Sequence, residues 1–174
     1  MATQYQKKPG YTELIHEAGV SKADARLRVV GAIDEANASL GLAKAFLSDQ
    51  ARKDLISSCQ QVLSLIMAVI AGWKHKNTPQ ELEDALNRLE QELAQLKAEY
   101  PLPNEFILPG ETPAAAALDV ARAVVRRSER EAVWLAQHGG NVSDTILTYL
   151  NRLSSVCFSL EIAELSKPSA GSNQ

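Results

Sequence analysis

The sequence predicts an all-α protein, a five-helix bundle, on three observations. Apolar residues recur at spacings of three and four through most of the chain, and no segment alternates strongly enough to read as a strand. Capping and turn signals divide the chain into about five segments of some 20 residues each. With 174 residues, 45% apolar content and a formal net charge of −3, the chain can bury one core. It reads as an N-terminal arm over residues 1–20, a single helical domain over 21–167 and a tail over 168–174.

Pro9 and Gly10, then Gly19, mark the arm as a loop. From Ser21 onward, Val30, Ile33, Leu40 and Leu42 give a first helical stripe, with Ser21 or Asp24 as its cap. Asp49 opens a second helix whose stripe runs through Leu55, Val62, Leu65, Ile66, Val69 and Ile70 and stops at Gly72. Thr78, Pro79 and Glu81 form a capping-box pattern, and Leu82, Leu86, Leu89, Leu93 and Leu96 follow it as the core face of a third helix. The prolines at 101, 103 and 109 exclude a continuous helix there. Thr112 and Pro113 restart helix to about Gln137, His138-Gly139-Gly140 stops it, and Ser143 or Asp144 launches a last helix to about Ser166.

Composition narrows the function classes. The chain has no run of about 18 uninterrupted apolar residues, and MATQYQKKPG lacks the apolar centre and cleavage pattern of a signal peptide, so a cytoplasmic protein is expected. A mildly acidic, aromatic-poor chain does not suit a general nucleic-acid surface. Cys59 and Cys157 lie within apolar helical patterns and read as buried thiols. His16, His75 and His138 show no metal-ligand spacing, and no phosphate-binding loop or nucleophile elbow is present.

The chemistry concentrates in ARAVVRRSER, residues 121–130. Arg122, Arg126 and Arg130 share one helical face, with Arg127 turned about 100° away. Like charges at i, i+4 cost roughly 0.2–0.5 kcal/mol per pair. The face is either solvated and answered in part by Glu129 and Glu131, or it is a polyphosphate site, since guanidinium forks match phosphate oxygens. Periodicity alone leaves both open. Asp34 and Glu35 sit mid-helix among apolar or small residues and either point outward or need a cationic partner.

Three blocks in order, SKADARLRVVGAIDEANASLG, FILPGETPAAAALDVARAVVRRSER and YLNRLSSVCFSLE, resemble the PduO-type ATP:cob(I)alamin adenosyltransferases. The resemblance covers roughly residues 21–47 and 104–163. It implies a five-helix bundle of the cobalamin adenosyltransferase type, assembled as a homotrimer with active sites between subunits. The implied activity is transfer of the 5′-deoxyadenosyl group of ATP to cob(I)alamin, with release of triphosphate. ATP would arrive with a divalent cation, expected to be magnesium; cobalamin is the second substrate, and a reductase and an adenosylcobalamin-dependent enzyme are the implied partners.

Matched position by position, Arg126 and Glu129 resemble residues that work on ATP and its metal, Glu129 indirectly through ATP. Asn151 matches a nucleotide contact and Lys22 a phosphate-binding lysine. Arg122 matches an arginine that pairs across the interface with an aspartate, here Asp34. Phe106 matches the phenylalanine that occupies the lower face of the corrin ring, displacing the axial base so that Co(II) can be reduced to Co(I). Co(I) is the nucleophile at C5′, and the protein contributes positioning, water exclusion and charge stabilisation.

The sequence departs from the family at its N-terminus. The usual Thr-Gly-Asp-x-Gly-x-Thr loop is replaced by YQKKPGYTEL, in which only Gly10 and Thr12 correspond, Lys7 and Lys8 add charge, and Pro9 lacks an amide donor. Ala36 stands where leucine is usual and Asp119 where histidine is common. The alternative reading is therefore a non-catalytic relative that binds, delivers or senses a corrinoid.

Overall fold

The computed structural model describes residues 8–103 and 107–166. A hairpin of β1 (Tyr11–Leu14) and β2 (Glu17–Ser21) precedes α1 (Ala25–Phe46), α2 (Gln50–Ile70), α3 (Thr78–Glu99), α4 (Pro113–Gln137) and α5 (Asp144–Leu165). The helices are where the periodicity predicts them, and all but α3 begin where a short polar residue accepts from the first turn. Asp24 accepts from the Arg26 amide at 2.8 Å, Asp49 from Arg52 at 3.1 Å, Thr112 from Ala115 at 3.1 Å and Ser143 from Ile146 at 3.3 Å. Each such cap stabilises its helix by about 1 kcal/mol.

The third helix begins differently from expectation. The Thr78 amide donates to the His75 carbonyl at 3.1 Å, which draws Thr78 into helical geometry, so Asn77 becomes the N-cap and offers no side-chain bond. Thr78 is then the first helical residue, its hydroxyl cannot reach back to cap, and Glu81 falls one position too late for a capping box.

The hairpin corrects the expectation of no strands. Thr12 and Leu14 are half-buried while Tyr11 and Glu13 are exposed, an alternation too short to register in the sequence. Tertiary contacts hold it instead. The Ile15 amide donates to the Ala71 carbonyl at 3.2 Å, and the Lys22 amide to the Gly10 carbonyl at 2.8 Å. Arg26 of α1 donates to Glu17 of β2 at 2.7 Å and to Asp24 at 2.8 Å, and these hydrogen bonds, helped by its charge, hold both carboxyls below their usual range.

In the bundle α1 packs against α2 and α4, and α5 against α4 and α3, with a thinner contact from α5 to α2. The buried stripe of α1 is Val29, Ile33, Ala36, Leu40 and Ala43, so small residues carry part of the face that hydropathy assigned to Leu42. Leu42 is instead 54% exposed. On α2 the buried positions are Ile56, Cys59, Leu63, Ile66 and Ile70, with Leu55, Val62, Leu65 and Val69 only partly covered. By length and composition α2 could cross a membrane, yet this stripe lies in the shared core. Both thiols are buried, and burial pushes Cys59 up to about 12.

One core contact was not foreseen. Arg52, on the first turn of α2, donates through Nη1 to Glu164 of α5 at 2.6 Å and through Nη2 to the Tyr100 hydroxyl at 2.9 Å. Arg52 and Glu164 have side chains only 10% and 6% exposed. Replacing Arg52 by Met should lower the unfolding free energy in urea titration by about 3–5 kcal/mol, because Glu164 loses its buried countercharge; adding Glu164→Leu should recover most of the loss. At the other end, an added Cβ on Gly140 would press on the Leu135 side chain and lie 2.9 Å from its carbonyl oxygen. Gly140→Ala should therefore cost about 1–3 kcal/mol in the same measurement.

Candidate functional site

The four arginines of α4 have four different environments. Arg122 donates through Nε and Nη2 to Asp119 at 2.9 and 2.6 Å, and its guanidinium lies 5.9 Å from the centre of the Phe158 ring. Arg127 pairs with Glu35 of α1. Arg130 donates to the Arg126 carbonyl at 3.2 Å. The Arg126 guanidinium has no ion-pair or hydrogen-bond partner among the described residues.

The nearby glutamates do not answer that charge. Glu131 is taken by Arg28 of α1, at 2.9 Å from Nη2 to Oε1, and Arg28 also lies over the Trp134 ring at 5.3 Å. Glu129 accepts from Nδ2 of Asn151, on α5, at 2.9 Å. Asn151 in turn accepts weakly from Arg152 at 3.4 Å, and Arg152 donates to Glu90 of α3 at 3.0 Å. A line of polar contacts thus fixes Glu129 from two helices away.

Arg126, Glu129, Arg130, Trp134 and Asn151 line one cavity of about 380 Å³ between α4 and α5. Two guanidinium groups face one carboxylate, so the cavity favours an anion and has an oxygen ligand for a cation that accompanies it. The indole of Trp134, stacked on His138 at 4.0 Å, gives one wall a flat apolar face. Among the described residues no three His, Cys, Asp or Glu side chains converge to hold a metal. A metal here would take most of its ligands from the anion it travels with.

The other sequence-derived candidates are distributed around the fold. Thr12 and Lys22 come together at the open end of the hairpin, where Tyr11 faces Ser21 and the Lys22 amide reaches Gly10. Gly10 there has φ +82°, which favours glycine. No hairpin residue lines the α4–α5 cavity. Lys8 lies over the Tyr11 ring at 5.1 Å, and Lys7 and Phe106 fall outside the described residues. Asp34 is exposed on α1 and, within one chain, does not meet Arg122, which Asp119 holds.

Glu161 was missed. It is 2% exposed on α5, and its Oε2 has no partner among the described residues. Burial, reinforced by Asp119, pushes its carboxyl above the usual range, while Arg122 pulls the other way. A glutamate inside the apolar run VCFSLEIA carries the same signal that draws attention to Asp34.

The comparisons with known proteins agree with this architecture. Residues 3–164 match the family model described as cobalamin adenosyltransferase. The chain is 33% identical over 158 residues to the corrinoid adenosyltransferase PduO of Salmonella typhimurium, an alignment covering 89% of this chain and 47% of that protein. It thus spans about half the length of that relative. It is 38% identical over 160 residues to a corrinoid adenosyltransferase of Mycobacterium tuberculosis, covering 87% of this chain and 81% of that one. Among solved structures it matches a variant of a PduO-type ATP:corrinoid adenosyltransferase from Lactobacillus reuteri complexed with cobalamin and ATP. The TM-score is 0.77 at 28% identity, covering 90% of this chain and 89% of that one. A second variant of that protein, complexed with ATP, matches with the same TM-score and identity over 89% of each chain. The chain belongs to the cobalamin adenosyltransferase family.

Proposed function

We propose that the chain transfers the 5′-deoxyadenosyl group of ATP to cob(I)alamin. Co(I) of the corrinoid substrate attacks C5′ with its electron pair, the C5′–O bond breaks, and triphosphate leaves with that bond's electrons. The observation that carries this reading is Arg126, whose guanidinium is unanswered beside the Glu129–Asn151 pair. A charge held ready where negative charge accumulates on the leaving group stabilises the transition state more than the ground state.

In this reading Arg126 takes phosphate oxygens, and Glu129 holds the divalent cation, magnesium, that ATP brings. Asn151 orients that carboxylate by its 2.9 Å bond and contacts the nucleotide. Lys22 and Thr12 meet the phosphates from the hairpin, and Phe106 takes the lower face of the corrin. In this reading the hairpin and the α4–α5 cavity that together meet ATP come from neighbouring subunits, which accords with no hairpin residue lining that cavity within one chain. A homotrimer suits the exposed face of α1, where Leu42 and Phe46 are 54% and 52% exposed, and Val120 of α4, 52% exposed. At such a boundary Asp34 of one subunit can take Arg122 of another. Cytoplasmic residence, where a reductase and an acceptor enzyme would be at hand, goes with the same reading.

A second reading, a corrinoid-binding relative without turnover, is favoured by one observation. Thr12, which corresponds to a phosphate-wrapping threonine, is half-buried in the β1 ladder opposite Val20.

Anaerobic incubation with chemically reduced cobalamin and ATP should produce the adenosylcobalamin spectrum; corrinoid binding without turnover at millimolar ATP would overturn the transferase reading. Arg126→Ala should lower turnover by about a hundredfold or more while the oligomer measured by light scattering is unchanged. Activity equal to the parent protein would make that arginine mere solvated surface. Leu42→Asp with Phe46→Asp should shift the mass from trimer to monomer and abolish activity together, since each site needs two subunits.

A further inference from the structure

Helices α2 and α3 both pack on α5 but do not pack closely against each other. Between them lies a cavity of about 380 Å³, within the usual range of small-molecule pockets. It shares no lining residue with the cavity that holds Arg126, so the two are separate. Its floor is Tyr149 of α5 and Cys59 of α2, each 2% exposed, whose hydroxyl and thiol share a hydrogen bond. Leu55 and Val62 of α2, with Leu89 of α3, give it apolar walls.

Three charged side chains stand around this interior: Arg88 and Glu92, one turn apart on α3, and Asp54 across the cavity on α2. An arginine and a glutamate at i, i+4 can pair along a helix. Here no ion pair joins Arg88 to Glu92 or to Asp54 among the described residues. Instead the charge of Arg88 is felt at the Tyr149 hydroxyl and that of Glu92 at the Cys59 thiol, so both groups are directed over the floor. Asp54 accepts from Gln50 at 2.8 Å through Oδ1 alone.

Opposite charges held apart over an apolar pocket select their ligand by elimination. Glu92 and Asp54 repel a phosphate or a simple fatty acid, Arg88 repels a simple amine, and an uncharged apolar molecule answers none of the three. What remains is a molecule with both charges close together and an apolar body. We propose that the α2–α3 cavity is a second ligand site, built for a free α-amino acid with an apolar side chain. The guanidinium of Arg88 donates to both oxygens of the ligand carboxylate. The ligand ammonium spans Asp54 and Glu92, and its side chain lies against Leu55, Val62 and Leu89. The site does not rest on the adenosyl-transfer reading.

Isothermal titration calorimetry with L-leucine, L-methionine and L-phenylalanine tests this. Isoamylamine and 4-methylvalerate serve as leucine without its carboxylate and without its ammonium, and glycine as the ligand without its apolar body. At least one of the three amino acids should bind saturably at one site per chain, about tenfold or more tighter than each control. Arg88→Ala should weaken that binding by about tenfold or more, as should Asp54→Asn with Glu92→Gln, while Arg126→Ala leaves it unchanged. All three rim side chains are exposed, and circular dichroism melts check that each variant is folded; the two sets lie on opposite charges, so either one alone decides. Four results would overturn the proposal: no saturable binding of any of the three at millimolar concentration, equal affinity for isoamylamine or 4-methylvalerate, indifference to the rim substitutions, or loss of binding in Arg126→Ala.

Discussion

Burial of α5 on nearly every side is the constraint on which the rest of the structure depends. From Ser159 to Glu164 every residue of that helix is buried, so a polar atom there is costly unless a neighbouring helix meets it: Glu164 is met, whereas Glu161 keeps an oxygen without a partner among the described residues. Glu164 meets Arg52 of α2, Arg152 meets Glu90 of α3, and Asn151 meets Glu129 of α4. The apolar surface supplies most of the driving force, and these contacts fix how far each partner helix is advanced along α5. Glu129 is held at the α4–α5 cavity by its bond to Asn151 of α5, at the half-buried margin of this core.

The same constraint separates the arginines of α4. Those whose positions face other helices are used structurally, Arg127 toward α1 and Arg122 toward Asp119 and Phe158. Arg126 faces a cavity and has no such use. A row of identical charges along one helix is thus divided by what packs beside each turn, which no helical wheel contains.

Local signals were legible and long-range ones were not. Asp24, Asp49, Thr112 and Ser143 cap helices because a cap depends on residues within three positions of itself. Thr78 violates its own pattern because the preceding turn closes one residue early. Leu42 was misplaced because Ala36 and Ala43, inconspicuous on any hydropathy scale, let α1 approach its neighbours on another face. The Arg52–Glu164 pair joins residues 112 apart in sequence, a distance at which nothing but folding brings them together. In the site, spacing alone marked the arginine face, whereas Glu129 with Asn151 became visible through the resemblance and Glu161 escaped both.

The hairpin has a further consequence for how a nucleotide would be received. Where a phosphate-wrapping loop is free to move, closing it around a ligand consumes conformational entropy. Here β1 and β2 are already pinned, by Ile15 to the end of α2 and by Glu17 to Arg26 of α1. A ligand arriving at Gly10, Thr12 and Lys22 meets an ordered edge. Were a nucleotide to dock there, little would be left to order, and the entropic penalty would be that of docking onto a rigid surface.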